Sequence, residues 1–335
     1  MPPFQRTLSN CVCMKISVVI ASYNGAPYIS EQLRSICTQT LPPHEIIVSD
    51  DGSTDNTRDI VHKFAKEFDF IDVRFVDNPS PHGVDRNFEN ALRHVSGDVV
   101  FICDQDDVWL PERIEVMSQA FCGSSPTATF CDSRVVDENL KDLGYTHIQS
   151  RGFCSFDEIF VPHSTAFLKR VPPAGHDMAF SSEFIDVLLP FPDLKDCYDT
   201  WIGMVLFALR AWKFSASVPL TLFRRHSRSV TRSGLVPTLK ESLAQAAKAV
   251  EDDAAAWHGK LYSELIARLG DKIDEEMLSL LEARRRHSIA RTQMNTSFFR
   301  KMRLIWQETV NGNYFRFGRS FQNIVQDILF RRSNR

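Results

Sequence analysis

The stretch VVFICDQDDVWLPERI, residues 99–114, joins five apolar residues to a cluster of acidic ones. The apolar part is typical of a buried strand, and Asp104, Asp106 and Asp107 crowd together where that strand ends. Carboxylates this close repel one another, and they cost free energy unless a cation or hydrogen-bond donors compensate their charge. The stretch therefore predicts a binding site at the carboxyl end of a strand.

Strand and helix patterns alternate before this stretch. The run KISVVIASY (15–23) predicts a strand buried on both faces, and apolar spacing predicts a helix from Tyr28 to Thr40, which Pro42 ends. The next predicted elements are a strand at 44–51, a helix that ends near Phe68 and is capped from Ser53, Thr54 or Asp55, a strand at 72–78, a helix at 83–95 and a strand at 97–104. Short links between such elements favour a mainly parallel α/β sheet flanked by helices.

The pattern is weaker beyond residue 115. We expect a strand and hairpin turn in 128–144, a strand and short helix in 178–192, a helix at 198–212 and a strand at 213–226. From Leu235 onward Pro and Gly become scarce, which predicts a helical C-terminal region. The predicted organisation is a flexible tail at 1–14, a main domain at 15–234 with halves 15–115 and 116–234, and helices at 235–335.

Composition excludes several classes of protein. The 335 residues are 43% hydrophobic and 24% charged with a net charge of −3, so we expect no general attraction to nucleic acid. The eight cysteines form no CxxC pair, which favours free buried thiols in a reducing cytosol. We also expect neither a signal peptide nor a membrane span, since no apolar run approaches ~20 residues.

Three predicted strand ends carry polar clusters, namely 22–24, 50–53 and 104–107. Ligands of open parallel sheets bind at this edge. No GxGxxG follows the first strand and no GxxxxGK[ST] occurs, which argues against dinucleotide and P-loop sites. A nucleotide would need other contacts, such as base stacking on Tyr23 and a base N–H donated to Asp51. The alternative is that Asp50 and Asp51 only cap the next helix.

The acidic cluster is the more specific signal. Carboxylates at D-x-D spacing suit Mg²⁺ or Mn²⁺, which would relieve their repulsion and bridge diphosphate oxygens. The alternative is an N-cap for a helix that begins near Pro111. One aspartate is enough to cap a helix, so three favour the metal site.

Three motifs resemble those of the family-two glycosyltransferases, inverting enzymes of the GT-A fold. They are ISVVIASYNG (16–25), EIIVSDDGSTDNT (45–57) and GDVVFICDQDDVW (97–109), in the family's order and spacing. Four later motifs are similar to the bacterial rhamnosyltransferase-like branch: GHDMAF (175–180), YDTW (198–201), LFRRH (222–226) and NYFRFGRSFQNIVQDIL (313–329). The chain departs from that branch at Tyr198, Thr200 and Phe223, where the pattern has His, Trp and Tyr.

The resemblance implies a role for each matching residue. Ala21 and Tyr23 would contact the base, Asp51 a base N–H, Asp104 the ribose and metal, and Gln105 the nucleotide sugar. Asp106 would bind the metal, His226 the metal or the diphosphate, and Asp199 would be the catalytic base. Asp132 and Trp201 would border the acceptor, although Asp132 is equally well explained as satisfying a turn.

The function implied is an inverting, metal-dependent transfer of a sugar, with dTDP-L-rhamnose as the expected donor. The acceptor would be a glycan or a lipid-linked sugar in bacterial surface polysaccharide synthesis, and the location cytoplasmic. Two alternatives stay open: a UDP-hexose transferase of the same fold, and a catalytically silent nucleotide- or glycan-binding protein. The acidic residues at 104–107 and Asp199 are intact, which counts against the catalytically silent alternative.

The C-terminal segment 299–335 interleaves basic and aromatic residues. Such a stretch can lie on the inner face of an anionic membrane, which predicts peripheral membrane contact. The alternative is that its aromatic residues pack on the main domain, as apolar helix faces usually do.

Overall fold

The computed structural model describes residues 14–79, 82–123, 125–151, 166–169, 174–195, 197–213, 218–226, 254–294, 296–318 and 321–329. Strands and helices alternate in the first hundred residues, as the sequence predicts. In chain order they are β1 (Ile16–Ser22), α1 (Ile29–Cys37), β2 (Glu45–Asp50), α2 (Thr57–Glu67), β3 (Asp72–Asp77), α3 (Val84–Leu92) and β4 (Val99–Asp104).

The second half adds short strands and one long buried helix. Its elements are β5 (Val108–Trp109), α4 (Arg113–Ser118), β6 (Ala128–Phe130), β7 (Asp132–Val136), β8 (Asp142–Thr146), α5 (His147–Ser150), α6 (Ala166–Lys169), β9 (Met178–Ser181), α7 (Ile185–Leu188), α8 (Tyr198–Ala208) and β10 (Pro219–Arg224). The predicted strand, hairpin and helix positions in this half agree with these elements.

The main sheet has the strand order β3-β2-β1-β4-β9-β6. Strands β1 to β4 are parallel, whereas β9 runs antiparallel to both β4 and β6. The chain moves outward from β1 through β2 to β3 and then returns to the other side of β1 for β4. The strand order therefore reverses beside β1, where open α/β sheets bind ligands. A second sheet, β5-β10-β7-β8, lies beyond β4 along the chain.

Both faces of the main sheet are buried, which is why its central strands are continuously apolar. Alternate residues point to opposite faces: Val19 and Ile102 join a core with α3, α8 and the helices that follow. Val18 and Phe101 join a core formed with α1, α2 and α4. The sheet is thus held rigidly between two helical layers, and its strand ends are fixed in place.

The C-terminal region is helical, as predicted. Its helices are α9 (Ala254–Leu269), α10 (Glu275–Thr292), α11 (Phe298–Val310), α12 (Asn313–Phe317) and α13 (Phe321–Leu329). Leu261 and Leu265 of α9 extend the core over α8, and Met294, Ile305 and Tyr314 form a smaller core among the last helices. The described helices include none whose length and hydropathy suit a membrane span. The predicted boundary at 234 and nearly all of the predicted tail lie outside the described residues.

Two local expectations were wrong. Helix α2 begins after Asn56 with no side-chain cap. Asp55 accepts instead from the amides of Thr57 (3.0 Å) and Ala26 (3.1 Å), which ties the loop after β2 to the loop after β1.

The second wrong expectation concerns the cysteines, because Cys122 is disulfide-bonded rather than free. Free buried thiols are confirmed at Cys37, Cys103, Cys131 and Cys197.

Candidate active site

The carboxyl ends of β1, β2 and β4 lie side by side. They form the carboxyl-terminal edge of the main sheet. In the parallel register Ser22 pairs with Asp50, and Ala21 pairs with Asp104. The polar residues that follow these three strands are therefore neighbours at the point where the strand order reverses. This edge holds the candidate site.

Tyr23 is presented to solvent by the amide of Gln105. The Tyr23 side chain is 57% exposed. Its backbone N–H donates to Oε1 of Gln105 (3.0 Å), and its carbonyl accepts from Nε2 (3.1 Å). Gly25 leaves room for this contact, because a Cβ there would lie 2.3 Å from Oε1 of Gln105. Gln105 thus positions Tyr23, and its direct contact with a ligand stays a prediction.

Asp51 is oriented by three donors. Its carboxylate lies 2.8 Å from Nδ1 of His82 and accepts from Nδ2 of Asn78 (2.7 Å) and the Gly83 amide (2.9 Å). Asp50 instead accepts from the Ser53 amide and hydroxyl, at 2.7 and 2.5 Å. Asp50 therefore orders the turn after β2, and neither aspartate caps α2, which begins without a side-chain cap.

The three aspartates after β4 have different environments. Asp104 is partly exposed, whereas Asp107 is fully buried. Burial, and then the charge of Asp104, raise the pKa of Asp106. Burial also raises the pKa of Asp107 well above its ordinary value, against the lowering effect of the neighbouring His176. The cluster therefore favours added positive charge, either protons or a cation.

The side chains of Asp106 and His226 are in contact. Nε2 of His226 lies 2.8 Å from Oδ2 of Asp106, and the imidazole stacks on Tyr28 at 4.5 Å. Arg224 donates to the Asp106 carbonyl (2.8 Å) and to Glu31 (2.5 Å), so its guanidinium fixes the loop. A carboxylate and an imidazole that could serve as metal ligands are thus held side by side at the cluster.

A second group of donors adjoins them. One ligand atom from each of Asp104, Asp107 and His176 lies within 4.8 Å of the others. Oδ1 of Asp107 accepts from the Arg224 amide (3.0 Å), but its buried Oδ2 has no hydrogen-bond partner among the described residues. An orphaned buried carboxylate oxygen beside other oxygen and imidazole donors fits a divalent cation.

His176 lies between Asp104 and Asp177, and its contact with Asp177 is fully buried. Its Nε2 lies 3.3 Å from Asp177 and its Nδ1 lies 3.6 Å from Asp104, while Phe223 stacks on its ring at 4.6 Å. Burial opposes charge on His176, but Asp177 and Asp107 hold its pKa well above the ordinary value. The charge of His176 in turn outweighs burial and holds the pKa of Asp177 well below its usual range. In the metal-free protein, His176 therefore places a positive charge beside the acidic cluster, and it would have to lose that proton to ligate a metal.

Asp199 lies in the first turn of α8. Its Oδ1 accepts from the Thr200 amide (2.6 Å) and hydroxyl (3.2 Å), and no described residue donates to Oδ2. Burial raises the pKa of Asp199, and Arg151 partly opposes the shift. A carboxylate with one uncommitted oxygen and a raised pKa is suited to accept a proton near neutral pH.

The start of α8 is held by residues from two other elements. Asp85 of α3 accepts from the amides of Cys197 (3.0 Å) and Tyr198 (2.9 Å). The Tyr198 hydroxyl lies 3.4 Å from Oδ1 of Asp104, to which it donates, and Gly175 leaves space for the ring. The residue beside Asp199 thus reaches the acidic cluster, so α8 and the end of β4 border one site.

The sequence motifs, their register and the acidic edge agree with one family. Its model, described as glycosyl transferase family 2, matches residues 17–173.

Two curated relatives and one solved structure extend this result. An uncharacterized glycosyltransferase of Nostoc is 29% identical over 69% of this chain and 64% of its own length. The dTDP-rhamnosyl transferase RfbG of Shigella flexneri is 31% identical over 45% of this chain and 54% of its own length. TarS of S. aureus, solved in complex with UDP, shares the fold with a TM-score of 0.55 at 16% identity, covering 95% of this chain and 90% of that one. The aligned regions thus span about half to two thirds of the two relatives.

The segment matched by the family model contains the strand-end residues but not the whole site. Asp199 and His226 lie beyond residue 173, and the roles of all the site residues stay predictions. Asp132 lies in β7 and accepts from the amides of Ser133 (2.8 Å) and of Ile148 in α5 (3.1 Å), so its place beside the acceptor stays a prediction. Trp201 is fully buried in the core, and its indole donates to the Leu188 carbonyl (2.8 Å). We therefore leave Trp201 out of the acceptor site.

The sequence interpretation missed several residues that build the site. They are His82, Asn78, Asp85 and His176. Asp85 lies away from the strand-end motifs, and His82 and His176 are single histidines without recognisable ligand spacing. Asn78 directly follows β3, so its position at a strand end was a signal that the interpretation did not use. For His176, the only signal was its position beside Asp177 in GHDMAF.

Proposed function

We propose that this protein is an inverting glycosyltransferase of family 2 that uses a nucleoside-diphosphate sugar. One observation carries the proposal: Tyr198, adjacent to Asp199, contacts Asp104 at the end of β4. A candidate base and a candidate diphosphate site therefore border the same edge of the sheet. Inverting transfer needs this pairing, because the base must act on the face of the sugar opposite the leaving group.

The donor nucleotide would occupy the ends of β1 and β2. Tyr23 offers an exposed ring for stacking, Ala21 lies two residues before it in β1, and Asp51 offers a carboxylate already oriented by three donors. Asp104, paired with Ala21 across the strands, would lie near the ribose. This arrangement needs no glycine-rich phosphate loop, in agreement with the sequence.

The diphosphate would lie over the acidic cluster with Mg²⁺ or Mn²⁺. Asp106 and His226 would hold the cation, and Asp104 is close enough for its charge to raise the pKa of Asp106. When bound, the cation would stabilise the charge of the departing nucleoside diphosphate. Tyr28 stacks on His226 and Arg224 donates to the Asp106 carbonyl, which would fix these two ligands. His176 would offset the repulsion among the aspartates.

Asp199 would take the proton of the acceptor hydroxyl. Its Thr200 contacts fix Oδ1, which leaves Oδ2 for the hydroxyl. The raised pKa makes its carboxylate a stronger base than an exposed aspartate. The hydroxyl oxygen would attack the anomeric carbon as the bond to the diphosphate oxygen breaks.

For the donor sugar we propose L-rhamnose carried by dTDP. The similarity to RfbG, named a dTDP-rhamnosyl transferase, supports this choice. A UDP-hexose is the second candidate, supported by the fold shared with TarS, which was solved with UDP. The proposed acceptor is a glycan or lipid-linked sugar of a bacterial surface polysaccharide, met on the cytoplasmic side of the membrane.

A nucleotide screen tests the proposal. We expect the melting temperature to rise with dTDP, UDP or GDP only when Mn²⁺ or Mg²⁺ is present, and to rise most with dTDP. Donor hydrolysis should then be fastest with dTDP-L-rhamnose among dTDP-, UDP- and GDP-sugars. A larger shift with UDP would favour the hexose donor. No shift with any nucleotide would favour the silent binding protein.

Asp85 gives a prediction about positioning. Asp85→Ala removes the acceptor of two amides at the start of α8, so the helix that carries Asp199 loses its cap, which contributes about 1 kcal/mol. We expect turnover to fall about tenfold with little change in donor KM. Steady-state kinetics measures both constants, and Asp85→Asn, which keeps one acceptor oxygen, should recover most of the rate. A rise in donor KM at unchanged turnover would contradict the positioning role.

A further inference from the structure

Helix α11 exposes a row of large apolar side chains. Phe299, Trp306 and Val310 are 85%, 65% and 64% exposed. With Arg303 they follow the spacing i, i+4, i+7 and i+11, so they share one face of the helix. We call residues 299, 303, 306 and 310 the outer face of α11. Phe298, 66% exposed, adjoins the ring of Phe299 at its N-terminal end.

The opposite face of α11 already packs on the protein. Ile305 is buried in the small C-terminal core, and Nζ of Lys301 donates to the Ile328 carbonyl of α13 (2.7 Å). Oε2 of Glu308 lies 2.5 Å from Nδ1 of His287 on α10. The helix is therefore docked by its inner face. Of the aromatic residues in this segment, Phe317 joins the core shared with the main domain and Tyr314 joins the small C-terminal core, whereas the outer face is exposed.

The charge around the outer face is positive. Arg300, Arg303 and Arg316 are exposed beside the apolar side chains, and neither Arg300 nor Arg303 forms an ion pair with a described residue. Glu308 is the only acidic residue in 298–318, and it is committed to His287. Arginines around exposed Phe and Trp, without an exposed carboxylate, match an anionic lipid surface in both charge and polarity.

We propose that the outer face of α11 binds an anionic lipid bilayer peripherally. The helix would lie parallel to the surface with Phe299 and Trp306 among the headgroups and Arg300 and Arg303 beside lipid phosphates. A second copy of the chain would also cover apolar groups, but two such basic faces would repel each other. The inference is independent of the proposed sugar transfer, because lipid binding can be measured without any nucleotide.

Vesicle co-sedimentation of the full chain tests the proposal. We expect binding to phosphatidylglycerol–phosphatidylcholine vesicles at low salt, release at high salt, and little binding to phosphatidylcholine alone. Phe299→Ser combined with Trp306→Ser should weaken binding about tenfold or more, and so should Arg300→Glu combined with Arg303→Glu. Phe70→Ser, at an aromatic that is 64% exposed far from α11 in sequence, is the matched control and should bind like the wild type.

Exposed positions are chosen so that the variants keep their fold, which thermal melting checks for each protein. Equal vesicle binding by folded wild type and both double variants would overturn the proposal. Absence of wild-type binding to anionic vesicles would also overturn it. Sedimentation velocity tests the alternative occupant, a second copy of the chain. A concentration-dependent dimer that is lost in the Phe299→Ser, Trp306→Ser protein would assign the outer face to self-association instead.

Discussion

Asp106→Ala is expected to abolish metal-dependent nucleotide binding and to reduce sugar transfer to background. Asp106 contributes the carboxylate that meets His226, and the loss of one charged ligand from a small divalent site removes most of its affinity. Calorimetric titration of dTDP and UDP, with Mn²⁺ and with a chelator, measures the binding. Donor hydrolysis measures the activity.

The variant should lose function without losing its fold. The raised pKa of Asp106, caused by burial and then by Asp104, means that its charged form is disfavoured in the metal-free protein. Removing it relieves repulsion in the cluster, so the melting temperature without metal should not fall. Asp271→Ala, at an exposed aspartate between α9 and α10, serves as the control for a lost surface carboxylate.

Full activity of Asp106→Ala with unchanged Mn²⁺ dependence would contradict this assignment. The cation would then be held by Asp104, Asp107 and His176, whose ligand atoms also lie close together. His226→Ala and His176→Ala separate the two arrangements, because each variant removes the imidazole of only one of them. Loss of metal-dependent binding in the His226 variant alone would support the Asp106 site.

The strand-end site was predictable because sheet geometry is regular. A continuous apolar run such as 16–21 predicts a two-sided strand, and parallel strands bring their carboxyl ends to one edge. The neighbourhood of Tyr23, Asp51 and Asp104 follows from these local patterns alone. The register of β1 with β2 and β4 confirms it.

Contacts between distant segments were not predictable in the same way. His176 reaches Asp104 because β9 pairs antiparallel with β4, and no periodicity in the sequence reports such pairing. Trp201 illustrates the opposite error. In a helix that is apolar on nearly every side, sequence spacing cannot tell the residue that faces a cleft from the one that faces the core. Asp199 escapes that ambiguity because it lies in the first turn of the helix.

Asp199→Asn is expected to keep nucleotide affinity and to lower turnover by about 10²-fold or more. The amide oxygen of asparagine can still accept from the Thr200 amide, so the start of α8 should stay in place. What the variant lacks is a group that can take the acceptor proton. Nucleotide titration and single-turnover transfer measure the two effects separately.

The pH dependence gives an independent check on Asp199. A base works in its deprotonated form, so wild-type turnover should fall as the pH drops through the pKa of Asp199. Burial raises that pKa above the ordinary aspartate range, with Arg151 opposing, so the fall should begin at a higher pH than an exposed aspartate would give. The residual activity of Asp199→Asn should lack this acidic limb. If the variant instead loses donor affinity at unchanged turnover, Asp199 is a binding residue. Asp132 would then become the candidate base, although two backbone amides already occupy its Oδ1.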